Sequence, residues 1–230
     1  MSLEKISKRN SKTILFIGMS DSIHATRWIN QISDQGWNVH LFPLVDNSVV
    51  HPQLTNVTVH QSVYTRTHKK KDYNPNVKNK GSYIPFNLWG ISANFILAIN
   101  AFTKRYLPNY RVRQLRRLLK KLKPDIIHSL EFQHSGYLTI QALYHEYTPF
   151  NIRNVIKFAF KQFQELPDKK KNAAKEDGAH FYPLSKKRIV CETSKWIATN
   201  WGSDIYLFGR LSSHKRKIKQ ILENCDFYSC

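Results

Sequence analysis

Three consecutive segments near the amino terminus restrict the fold more than anything else in the chain. Thr13–Gly18 (T-I-L-F-I-G) is a β-rich apolar run that stops at glycine. After a polar turn, Ile23–Ser33 places Ile23, Trp28, Ile29 and Ile32 near helical spacing, and Gly36 supplies a stop. Asn38–Pro43 (N-V-H-L-F-P) is a second apolar run. Strand, helix and strand within about thirty residues make a βαβ unit. A helical crossover returns the chain to the same end of the sheet, so the two strands run parallel. The expectation is an α/β fold, with a parallel sheet flanked by helices.

The alternation continues with interruptions. Val57–His60 reads as a short third strand, and Arg66–Ser82, polar and broken by Pro75 and Gly81, reads as an exposed loop. Phe86–Tyr106 is an apolar-rich helix candidate ended by Pro108. Tyr110–Leu122 is another, with Val112, Leu115, Leu118, Leu119 and Leu122 in one stripe and arginines elsewhere. Pro124 closes it before a short buried strand, Asp125–His128. A helix over His134–His145, a strand over Trp196–Asn200, a helix over Lys215–Glu223 and a strand over Asp226–Cys230 follow. Tyr147–Ile189 breaks the alternation, and its Pro167–Gly178 portion has the composition of an exposed insertion. The domain reading is a frayed terminus over 1–12 and one domain over 13–230, with an insertion around 147–189.

Composition narrows the function classes. The 230 residues are 41% hydrophobic, enough for a folded core. Cys191, Cys225 and Cys230 are odd in number and lack metal-ligand spacing, which points to reduced thiols and no metal. The run Thr13–Met19 is too short for a signal sequence, and no stretch reaches the ~20 apolar residues of a membrane span. A cytoplasmic protein is expected, or one peripheral on the inner face of the plasma membrane. The net charge is +20, and Lys104–Lys123 holds nine Lys/Arg with no Asp or Glu. Such clustering points to a polyanionic partner, a nucleic acid or an anionic membrane surface, unless the lysines merely solvate helix faces.

Chemistry-bearing residues gather where the strands end, the edge at which open α/β sheets bind ligands. The first exit runs from Gly18 through Ser22, His24 and Arg27 to Trp28. A helix starting there would aim backbone N–H groups at an anion, with Ser22 as cap and with His24 and Arg27 three apart. Only one glycine of a dinucleotide fingerprint is present, so NAD is disfavoured. The second exit, His128-Ser129-Leu130-Glu131-Phe132-Gln133-His134, offers two histidines and a carboxylate for acid/base or hydroxyl-binding work. The third, Trp196 to Tyr206, stops abruptly at Trp201-Gly202-Ser203-Asp204. Each has a plain structural alternative: a capping and surface pair, backbone-bonded histidines, and a turn aspartate.

The ordered set resembles the N-terminal domain of family 4 retaining glycosyltransferases. It comprises I-L-F-I-G…S-I-H-A-T-R-W-I-N-Q-I, G-W-N-V-H-L-F, L-K-P-D-I-I-H-S, W-I-A-T-N-W-G-S-D-I and I-L-E-N-C-D-F-Y-S-C. The resemblance implies a Rossmann-like sheet, the N-terminal half of a GT-B fold. It also implies transfer of a sugar from a nucleotide-sugar donor to a hydroxyl, the donor entering as co-substrate with no further cofactor. Gly18, Ser22, His24 and Arg27 match the loop that faces donor phosphates and acceptor. Trp201, Gly202 and Ser203 match the third exit, where many members carry a histidine in place of Trp201. Asp204 matches the family's aspartate and is the principal catalytic candidate. Glu131 and His134 match variable acceptor-side positions.

The family's second domain carries the nucleotide-sugar pocket and a characteristically spaced pair of glutamates. Glu165 and Glu176 stand eleven apart without that pattern. The chain is therefore expected to be an acceptor-binding half, from a truncated frame or a split pair with a separately encoded donor-binding half, and inactive alone. The implied partners are a glycan or lipid-linked acceptor of cell-surface polysaccharide or lipopolysaccharide synthesis, and an anionic membrane surface. Phe86–Lys123 would dock on the membrane, or else the stripe of Tyr110–Leu122 packs on the sheet. The competing class is a basic nucleic-acid- or membrane-surface-binding module without catalysis. Nucleic acid is the weaker option, since no RNA-binding sheet signature or zinc spacing occurs.

Overall fold

The computed structural model describes residues 11–45, 49–61, 74, 76–80, 109–146 and 184–229. The helix expected over Phe86–Tyr106, nearly all of the 147–189 insertion, residues 1–10 and Cys230 lie outside them. The first strand, β1 (Thr13–Gly18), is buried from Ile14 onward. Ser22 accepts a hydrogen bond from the Ala25 N–H (3.4 Å) and so caps α1 (Ile23–Ser33). Gly36, at φ 75°, turns the chain into β2 (Asn38–Pro43). Then come β3 (Val57–His60), β4 (Val77–Lys80), α2 (Tyr110–Leu122) and β5 (Ile126–Ser129). A π-helical turn (Phe132–Gly136) leads into α3 (Tyr137–Tyr144) and β6 (Lys195–Thr199). The short α4 (Ser203–Tyr206), a 3₁₀ turn (Phe208–Arg210), α5 (Ser212–Asn224) and β7 (Phe227–Ser229) complete the described chain.

The seven strands form one parallel sheet in the order β4-β3-β2-β1-β5-β6-β7. Strand order reverses between β1 and β5, whose register pairs Phe16 with His128. On one face Ile14, Phe16, Val39, Leu41, Val57 and Val59 pack under Ala25 and Ile29 of α1. On the other, Leu15, Ile17, Ile127, Trp196 and Ala198 pack under α2, α3 and α5. The Rossmann-like α/β arrangement is thus present.

Three expectations need correction. Arg66–Ser82 is not loop throughout, because Val77–Lys80 pairs with β3. It is an edge strand with one buried valine among lysines, too short to show a period and charged as edges tend to be. Buried Asn74 fixes its start by donating to the carbonyls of His51 (3.0 Å) and Leu54 (2.8 Å). His134–His145 is not one α-helix. Gly136 N–H bonds Glu131 O (3.0 Å), and Ser135 Oγ donates to the same carbonyl (2.6 Å), which widens the first turn. The end of Trp-Gly-Ser-Asp is a helical turn. Asn200 Oδ1 accepts from Gly202 N–H (2.9 Å), Gly202 sits at φ 77°, and its carbonyl accepts from Tyr206 N–H (3.0 Å).

The open choice for Tyr110–Leu122 is resolved by burial: Val112, Leu115 and Leu119 lie in the core. Nor are all its arginines left in water. Arg116 donates to Ala142 O (2.9 Å), Gln141 O (3.0 Å) and His145 O, satisfying the last carbonyls of α3. Arg111 donates to Pro43 O and lies 4.3 Å over the Phe42 ring.

A buried hydroxyl relay joins the sheet to α3. Trp196 Nε1–H donates to Ser129 Oγ (3.0 Å), Ser129 to Thr139 Oγ1 (2.8 Å), and Thr139 to Ser135 O (2.7 Å). Ser129→Ala would strand the indole N–H of Trp196, while the Thr139 hydroxyl would lose its donor and keep Ser135 O as its acceptor. Leaving buried polar groups unpaired costs roughly 1–3 kcal/mol. A fall in urea midpoint of that size, at unchanged slope, is expected, and a variant as stable as the wild type would refute the relay's role.

Candidate functional site

Helix α1 packs over β1 and β2, so one of its flanks looks across the sheet toward β5 and β6. Along that flank stand His24, Arg27, Trp28 and Gln31, at the spacing that makes one stripe on a helix. Facing them is Trp201, just beyond the end of β6. These five residues line a cleft of about 370 Å³. It begins beside the carboxyl end of β6 and follows α1 from its first turn to its last.

The cleft's rings are held from both sides. His24 meets Trp201 with centroids 5.5 Å apart at 70°, and Trp28 meets His128 at 5.9 Å and 80°. His128 also lies 5.1 Å from the Phe16 ring. Only 5% of His128 is exposed. Its Nε2 is 2.7 Å from Thr199 Oγ1, while Nδ1 has no hydrogen-bond partner among the described residues. Placing the single imidazole proton on Nε2, as donor to Thr199, leaves no buried N–H unpaired. Burial lowers the pKa of His128 to about 4, so the ring is neutral at physiological pH.

The sequence-derived candidates divide into four groups. His24, Arg27 and Trp201 share the cleft, and Gly202 follows immediately. Gly18 and Ser22 shape the loop before it. A Cβ on buried Gly18 would stand 3.0 Å from Leu130 Cδ1, and the Ser22 hydroxyl is occupied by the α1 cap. Glu131 and His134 pair with each other at 3.5 Å at the β5 exit, Glu131 mostly covered and His134 largely exposed, and neither lines the cleft. Nearby, Tyr137 Oη and His214 Nδ1 stand 3.0 Å apart. Asp204 and Ser203 fall in α4, and the described part of these two residues is their backbone.

Trp28 and Gln31 were not foreseen as site residues. Trp28 was counted with Ile23, Ile29 and Ile32 at helical spacing, yet Ala25, Thr26, Ile29 and Ser33 are the buried positions of α1. The signal was available in the stripe His24, Arg27/Trp28, Gln31, which is polar and aromatic where the core stripe is small and aliphatic. Among the described residues no three His, Cys, Asp or Glu side chains converge as metal ligands. No described helix is long and apolar enough to cross a membrane.

Residues 13–78 match the family model described as glycosyl transferase 4-like. The matched span runs from β1 through α1, β2 and β3 into β4, and includes four of the five cleft residues. It agrees with the family resemblance of the first two motifs, which lie within it. The chain matches no curated protein and no solved structure.

His128 gives the fold a defined pH dependence. Its pKa is lowered from 6.5 to about 4 in the folded chain. Between those values the unfolded chain binds the extra proton, so stability is complete above about pH 6.5 and is lost as pH falls toward 4. The loss attributable to this group is roughly 3 kcal/mol. In equilibrium unfolding from pH 7 to pH 4, the wild type should lose about that much more than His128→Gln, which keeps a donor for Thr199 but does not titrate. Parallel curves for the two proteins would rule this out.

Proposed function

We propose that this glycosyl transferase 4-like domain is the acceptor-binding half of a retaining enzyme. The enzyme moves a sugar from a nucleotide-sugar donor to a hydroxyl in cell-surface polysaccharide or lipid-linked glycan synthesis. The observation that carries the proposal is the cleft between α1 and Trp201. It has the size and the mixed aromatic and polar lining of a small-molecule site. It stands one strand from the point where strand order reverses, at the edge where ligands of open α/β sheets bind.

In the reaction the donor's bond between C1 and phosphate oxygen breaks, a bond from C1 to the acceptor oxygen forms, and the acceptor hydroxyl loses its proton. In this reading the chain's residues hold and orient the acceptor: Trp28 and Trp201 by ring contact, Gln31 and His24 by hydrogen bonds to hydroxyls. Asp204, at the start of α4, and the Glu131–His134 pair, at the β5 exit, are the acid/base candidates. The opposing wall, with the donor pocket, comes from a donor-binding half.

A glycan array probed with the pure chain tests the assignment. Binding to a subset of glycans is expected, with Trp201→Ala lowering affinity at least about tenfold, the scale of a central aromatic contact. No turnover of nucleotide sugars is expected from the chain on its own. Retention on duplex nucleic acid at physiological salt with no glycan bound would replace this reading with the nucleic-acid module.

A further inference from the structure

The five cleft residues supply two indoles, an imidazole, an amide and a guanidinium, and no carboxylate. Arg27 is exposed and makes no hydrogen bond or ion pair with any described residue. Three described carboxylates have partners away from the cleft: Asp226 with Arg188 (2.6 Å) and Lys195 (3.6 Å), Glu131 with His134 (3.5 Å), Asp125 with the Thr13 N–H (2.7 Å). Among the described residues Arg27 is thus an unpaired cation, lining the cleft together with two tryptophans. Both rings are braced by histidines, and Trp28 keeps 37% of its surface exposed.

A sugar ring matches this arrangement. Its C–H groups carry partial positive charge and favour the electron-rich face of an indole. A planar guanidinium beside that face forms paired, charge-assisted hydrogen bonds with a carboxylate or phosphate, and a neutral hydroxyl gains far less from it. The cleft volume of about 370 Å³ lies near the lower end of small-molecule sites, room for roughly one or two sugar rings.

We propose that the sugar bound in this cleft is anionic, carrying a carboxylate or a phosphate that Arg27 receives while Trp28 and Trp201 hold the ring. The inference rests on the acceptor-cleft reading above and adds the charge of the acceptor to it.

Titration of intrinsic tryptophan fluorescence in the wild type, Arg27→Gln, Trp201→Ala and the distant control Lys219→Gln tests it. Four probes are used: methyl glucoside, methyl glucuronide, glucose 6-phosphate and UDP. Both anionic sugars should bind about tenfold more tightly than methyl glucoside, the scale of one charge-assisted pair. Arg27→Gln should bring them down to its level, and Trp201→Ala should weaken all three sugars. The ratio of glucuronide to sugar-phosphate affinity tells which anion the cleft prefers. Equal affinities for neutral and anionic sugars would overturn the charge assignment and leave the acceptor reading standing. No response to any sugar, with Trp201→Ala indistinguishable from wild type, would overturn both. UDP binding lost in Arg27→Gln, with no sugar response, would assign Arg27 to a donor phosphate and overturn the proposal.

Discussion

The hydrogen-bond chain from Trp196 through Ser129 and Thr139 to Ser135 fixes what stands on either side of the sheet's second half. Trp196 is fully buried and its indole N–H must find an acceptor inside the protein. Ser129, the last residue of β5, provides it and passes its own proton to α3. Two strands and one helix are thereby set in register by groups that have no alternative partner in an apolar core. The position of Trp201 follows from this, because β6 cannot slide along β5 without breaking the relay. Asn200 N–H donates to Ser229 O (2.7 Å) and ties the same strand end to β7.

On the opposite sheet face a second buried group decides where the cleft lies. His128 occupies a position that would ordinarily hold an aliphatic side chain, with Phe16 on one side and Trp28 above it. An imidazole is small and flat, so Trp28 can rest edge-on against it and remain partly open to solvent. An isoleucine or leucine there would fill the same space and push the indole outward. The unmet Nδ1 and the low pKa follow from seating a polar ring under a tryptophan. His128 therefore acts on the cleft by positioning Trp28.

Much of this architecture could be read from sequence. Thr13–Gly18, Ile23–Ser33, Asn38–Pro43, Val57–His60 and Tyr110–Leu122 fold as their periodicity indicates, since burial on one face imposes the same spacing locally and globally. The failures have specific causes. Val77–Lys80 gains its strand from Asn74 and the β3 edge, contacts with no local signature. The π-helical turn depends on Ser135 competing for a backbone carbonyl, which spacing alone does not reveal. At the site, the structure brings His24 and Arg27 of the first exit and Trp201 of the third to one cleft, and Trp28, which ended the first exit without a role, lines it beside them. Glu131 and His134 were grouped with that set by their nearness to a strand end, yet they turn toward each other.

Net charge is the property most visible in the sequence, and by itself it discriminates least between partners. Several of the cations behind the +20 total are consumed internally. Arg116 closes the carboxyl end of α3, and Arg111 lies on Phe42. Arg188 donates to Ser194 O (2.6 Å), Tyr144 Oη (2.9 Å) and Asp226 Oδ2 (2.6 Å), linking the segment before β6 to β7. A guanidinium with several donors is suited to such stitching, because it satisfies carbonyls from different elements at once. Exposed cations such as Arg117, Lys120 and Lys121 along α2 keep their hydration and gain little from any fixed partner. Arg27 differs from both groups, standing in a concave site beside aromatic walls without an acceptor among the described residues. Recognition depends on that placement: desolvation by a bound ring strengthens the pairing of one cation with one anion, which no number of water-facing lysines reproduces.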